Sequence, residues 1–141
     1  MYLNNKRILT LTLAFLPIIA RAAWEFGMTT AGGDTIFFDS NRIKKQGNIV
    51  SVWFMTNFSE PLNLSRGISK SMVDSTEYDC LNKTQKITYL SNFSSSNGQG
   101  DLLQAFDRSD LSTDWKQIPP NSTADVFSHY FCKSKTFKVK N

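Results

Sequence analysis

Tyr78-Asp79-Cys80 and Phe131-Cys132 carry the only two cysteines of this 141-residue chain. Two cysteines and no more, behind an export signal, most economically form one intramolecular disulfide. That bond ties the end of a β-strand to the end of the last helix and closes a loop of 53 residues. A cross-link of that span is worth roughly 4 kcal/mol in chain entropy, a large share of the net stability of a small domain. The alternatives are a metal site or a catalytic thiol. A metal site wants three or four ligands, and the chain offers one histidine and no Cys-x-x-Cys.

The export signal is read at the other end. Lys6 and Arg7 precede an apolar run from Ile8 to Ile19, and Ala20-Arg21-Ala22 follows as an A-x-A cleavage pattern. The run is too short to span a bilayer. Residues 1–22 are therefore expected to be a cleaved secretory signal and residues 23–141 a single domain. No cysteine lies near the cut, which closes the lipid-attachment route. The expected location is the periplasm or the cell exterior, without a lipid anchor and without a membrane span in the mature chain.

Loss of the signal changes the charge. The full chain carries +4, but Lys6, Arg7 and Arg21 leave with the signal, so 13 basic and 12 acidic residues remain. A net charge of +1 removes the main support for a nucleic-acid or membrane-surface role. Local basic character persists in Lys133, Lys135, Lys138 and Lys140, which by default form a solvated terminus.

From Trp24 onward the pattern is strand-rich. Trp24 to Thr29 and Thr35 to Asp39 read as strands, and Gly47-Asn48 supplies a tight return. Ile49 to Phe58 is the most hydrophobic run. Val50, Val52, Phe54, Thr56 and Phe58 fall on one face and Ile49, Trp53 and Met55 on the other, as in a central strand. Pro61 and Gly67 mark Glu60 to Gly67 as loop. Ser69 to Cys80 and Thr84 to Ser94 form a hairpin, with Ile87, Tyr89 and Phe93 alternating against Lys86, Thr88 and Asn92. Leu102 to Phe106 adds a short strand, and Trp115 is expected to plug the edge of the core. After Pro119-Pro120, Ser122 is a good N-cap for a helix whose apolar stripe is Ala124, Phe127 and Phe131. The expected fold is α+β: an antiparallel sheet of about five to six strands, one C-terminal helix on one face, and a single disulfide.

Catalytic and cofactor signals are poor. His129 is the single histidine and stands four residues after Asp125, an ordinary spacing on a helix surface. Gly98-Gln99-Gly100 resembles half a phosphate loop but lacks the following Lys-Ser/Thr and reads as a bend. Asp107, Asp110 and Asp114 do not match a calcium-loop spacing. No enzyme, metal or cofactor is implied.

Several stretches stand in a shared order and spacing: Asp34-Thr35-Ile36-Phe37-Phe38-Asp39-Ser40 with Ile43, and Gly47-Asn48-Ile49-Val50-Ser51-Val52-Trp53. Glu77-Tyr78-Asp79-Cys80, the Gly98-Gln99-Gly100 turn, Trp115 with Ile118-Pro119 and the closing helix to Cys132 follow. In these the chain resembles the surface-adhesin protein E family of bacterial exported proteins. The resemblance implies a disulfide-linked helix on an antiparallel sheet, a homodimer, and binding of a protein ligand, of which vitronectin and laminin are the host matrix examples. The expected function is a non-catalytic exported binding module, with Arg66, Lys70, Lys133 and Lys135 as electrostatic ligand contacts. The alternative is a periplasmic inhibitor or envelope-stress protein, for example one that blocks a lysozyme.

Overall fold

The computed structural model describes residues 23–108, 110–111 and 114–134. The expected signal segment and Lys135 lie outside these residues. Element order is β1 (Trp24–Thr29), β2 (Thr35–Asp39), a 3-10 turn (Ser40–Arg42), β3 (Lys44–Gln46), β4 (Ile49–Leu64), β5 (Gly67–Asp79), β6 (Thr84–Ser95), β7 (Gln99–Phe106), β8 (Lys116–Gln117) and α1 (Thr123–Lys133).

The described strands form one antiparallel sheet in the order β1-β2-β4-β5-β6-β7, with β3 pairing β4 and β8 pairing β6. Eight strands exceed the five to six expected. The additions are three and two residues long and wholly polar, too short to carry a period-2 signal. β4 lies inside the sheet because it is apolar on both faces. Its even positions Val50, Val52 and Phe54 are buried against α1, while Met55 is buried on the other side.

Two expectations fail at bulges. β4 does not stop at Glu60: it runs to Leu64, and Pro61 falls between Asn57 and Leu62, where the register with β5 shifts. A residue without an N–H is tolerated where the ladder is already interrupted. In β6, Ile87 and Tyr89 do not share a face. Ile87 pairs with Thr76 and Tyr89 with Ser75, so Thr88 is an extra residue that inverts the alternation.

α1 packs on the face made by Ile36, Phe38, Val50, Val52, Phe54 and Tyr78, into which it inserts Phe127 and Phe131. The Phe131 ring meets Phe38 edge-on with centroids 5.3 Å apart, and Phe127 lies 4.9 Å from Phe54. Ser122 caps the helix as expected, its hydroxyl accepting from the Asp125 N–H at 3.1 Å. Gly27 on β1 makes the close approach possible, since a Cβ there would lie 3.0 Å from the Phe127 ring. The Cys80–Cys132 disulfide closes the helix end onto the end of β5. Among the described residues no helix is long and apolar enough to cross a membrane.

Candidate functional site

The sheet face opposite α1 carries an aromatic patch that the core does not use. Trp53, Ser75 and Tyr89 stand side by side on β4, β5 and β6. Strands β4 and β6 are separated by roughly 10 Å, twice the usual strand spacing. The small Ser75 between them lets the two rings lean together until their centroids are 5.2 Å apart. That cover explains why Ser75, a serine on the helix-free face, is buried.

Arg42 extends the patch. Its guanidinium lies 4.5 Å from the Trp53 ring centre and 5.5 Å from that of Trp24. Asp39 fixes it there, because its carboxylate accepts from Arg42 Nε and from the Asn41 N–H while capping the 3-10 turn. Asp39 is fully buried and Arg42 about two-fifths exposed, so the cation is aimed rather than free. Phe26 and Phe37 continue the row edge-to-face at 6.1 Å, with Phe26 63% exposed. A charged border follows on β5 and β6, where Glu77 pairs with Lys86 at 3.3 Å and with Arg108 at 2.7 Å. Trp115 does not plug the core as expected. It is exposed and lies 4.5 Å from the Lys86 ammonium.

The expected ligand contacts are not one cluster. Arg66 sits at the tip of the β4–β5 hairpin and lines a cavity of about 280 Å³ with Leu64 and with Leu103 to Phe106. Lys70 is exposed on the first turn-proximal part of β5. Lys133 stands at the opposite end of β5, beside the disulfide, and the strand between is roughly 40 Å long. Lys133 there borders a cavity of about 590 Å³ with Asp79, Asp125 and His129. Both acids serve the backbone. Asp125 accepts from the Asn121 N–H at 2.9 Å, and Asp79 from the Leu81 and Asn82 N–H groups at 3.0 Å each. The hydrogen bond from the Asn82 backbone, joined by that from its side chain, holds the Asp79 carboxyl below the usual range. The Asp125–His129 pair therefore reads as a capped helix surface. Among the described residues no group of three or more acidic, histidine or cysteine side chains could hold a metal ion.

Sequence reasoning placed Trp53 and Tyr89 on strands but not together. The Thr88 bulge, which pattern alone does not reveal, is what turns Tyr89 toward Trp53. Arg42 stands in the polar, basic stretch from Asn41 to Gln46, which carries no signal of an aromatic partner.

Comparison with known proteins gives a consistent answer. The family described as Surface-adhesin protein E matches residues 24–133. The fold is similar to that of Haemophilus influenzae protein E in crystal form II, with a TM-score of 0.58 at 15% identity, covering 82% of this chain and 91% of that one. It is likewise similar to protein E from non-typeable Haemophilus influenzae, with a TM-score of 0.57 at 15% identity, covering 82% and 79%. No curated protein sequence matches the chain.

Proposed function

The chain belongs to the surface-adhesin protein E family, and from that membership and the geometry above we propose that it is a non-catalytic module binding a protein ligand on its helix-free face. Membership implies an exported surface protein of adhesin type. The observation that carries the choice of face is Arg42 held between Trp24 and Trp53 beside Tyr89. Trp, Tyr and Arg are the side chains that dominate binding energy at protein interfaces, and here they are pre-set by a buried carboxylate and a bulge. Arg66 and Lys70, at the hairpin tip, add long-range attraction for an acidic partner, and Lys133, at the far end of β5, is too distant to join them. Host matrix proteins, vitronectin and laminin among them, are the ligands to try.

The test is binding of the oxidised protein, residues 23–141, to immobilised vitronectin and laminin. Trp53→Ala and Arg42→Ala should each cost tenfold or more in affinity, mostly as faster dissociation. Charge reversal at Arg66 and Lys70 should slow association and flatten the salt dependence. Saturable binding that both aromatic-face variants leave unchanged would overturn the assignment of the face.

A further inference from the structure

A second site lies on the other face. Between the first half of α1 and strands β4 and β5 runs a slot of about 230 Å³. Its walls are apolar, from Ile36, Phe54, Met72 and Phe127, and its polar lining includes the Thr56 and Thr76 side chains. Asp74 lines it too and is only 7% exposed. The Asp74 carboxylate has one protein donor, the Thr76 hydroxyl, which reaches Oδ2 at 2.9 Å. Oδ1 takes no protein donor among the described residues. Among the described residues no fully inaccessible polar side-chain atom is left without a partner, so Oδ1 retains accessible surface, and Asp74 lines the slot. No lysine or arginine of the described residues pairs with this carboxylate.

A buried carboxylate without a cation is a costly thing for a core to keep. Asn or Thr would satisfy Thr76 equally well without the charge. What the acid adds is a strong, directional acceptor at an apolar slot with room for several waters or one flexible side chain. From this geometry we infer that the Asp74 slot is a receptor for a single lysine or arginine side chain of a polypeptide partner, its alkyl stem against Met72 and Phe127 and its cation on Oδ1. The slot opens on the face opposite Trp53, so its occupant is separate from the segment docked on the aromatic patch. Charge complementarity selects the occupant: the walls accept methylenes, and only a cation repays the buried carboxylate.

The groups facing Asp74 leave it free to respond. Phe54 stands opposite on β4 and Leu90 opposite on β6. Thr123, Ala124 and Phe127 face the slot from α1, and Tyr78 is the other titratable group lining it. Lys70 occupies the same face of β5 by parity but stands four residues away. Burial pushes the Asp74 carboxyl up to about 7, and burial followed by the Asp74 charge pushes the Tyr78 hydroxyl above its ordinary range. Bound cation must therefore compete with a proton.

The experiment titrates Nα-acetyl-arginine amide into the oxidised protein and follows backbone amide resonances at pH 8 and pH 5. The uncharged Nα-acetyl-norleucine amide is the control for the apolar stem, and n-butylguanidine supplies the same cation without a peptide group. Saturable shifts at Met72, Thr76 and Ala124, at least tenfold weaker at pH 5 and absent with norleucine, are expected. Asp74→Asn should abolish them while the protein stays folded, since the substitution removes a buried charge and keeps the shape. Ala124→Leu should abolish them with the carboxylate intact, by filling the slot. Arginine shifts that survive Asp74→Asn, or that map outside the slot, overturn the site. Binding of n-butylguanidine without binding of the arginine amide overturns the polypeptide as its source.

Discussion

Asp74→Asn should stabilise the protein at pH 8 and leave it almost unchanged at pH 4. The carboxyl is buried beneath the first half of α1, and burial raises its pKa from 3.8 to about 7 against the opposing pull of the Thr76 hydroxyl. In the unfolded chain it ionises near 3.8. Below that value both states hold the proton and Asp74 costs nothing. Between 3.8 and 7 the unfolded chain releases a proton that the folded one keeps, so stability falls as pH rises, and above 7 the loss is complete. The shift corresponds to a penalty on the order of 4 kcal/mol at pH 8. Asparagine keeps the oxygen that accepts from Thr76 and removes the charge, so the variant should recover a few kcal/mol there. Urea unfolding of both proteins from pH 4 to pH 9, with the disulfide intact, reads this directly. Tyr78, which the Asp74 charge reaches, stays protonated in both folded proteins over this range. Groups that the Asp74 charge does not reach contribute alike to both and cancel in the difference. Asp79 is one of these, its depressed pKa giving the opposite slope at low pH. Parallel profiles, or a wild type more stable than the variant at pH 8, would refute the reasoning.

Reduction of Cys80–Cys132 should lower stability by roughly 4 kcal/mol, read as a lower urea midpoint, because the bond closes a long loop. Gly27→Ala should cost about 1–3 kcal/mol in the same assay, since the added methyl meets both the Phe127 ring and the Ile36 carbonyl at 3.0 Å. Ser122→Ala should cost about 1 kcal/mol by leaving the Asp125 N–H without its cap, measured as a lower Tm. Trp53→Ala should change stability far less than Phe131→Ala, which empties the centre of the core and should cost about 3–5 kcal/mol.

Much of the fold was legible because its signals are local. The alternation from Val50 to Phe54 marks a face, Ser122 marks a helix start, and two cysteines in an exported chain mark each other. The site was less legible, for a physical reason: it depends on register. Trp53 and Tyr89 lie 36 positions apart in sequence and meet only because Ser75 between them is small and Thr88 is an extra residue. Asp74 gave no signal at all. In a strand that alternates polar and apolar residues, an aspartate at an inward position looks like any solvent-facing acid until the helix that covers it is placed. Basic residues alike in composition need not be neighbours in space: the length of β5 separates Lys133 from Lys70.

The two faces of the sheet put their polar atoms to opposite uses, and this is what ties fold to function. On the helix-free face a fully buried acid, Asp39, is satisfied by Arg42 and Asn41 and serves to hold a cation where it can be met from outside. On the helix face a nearly buried acid, Asp74, has no cation partner among the described residues, and once ionised it lowers stability instead of adding to it. A core selected for stability alone has no use for the second arrangement, because an isosteric amide would fill the same space. The disulfide makes the arrangement affordable. It pins the C-terminal end of α1 to Cys80, so the Asp74 slot at the helix's other end can carry an uncompensated charge without the helix leaving the sheet.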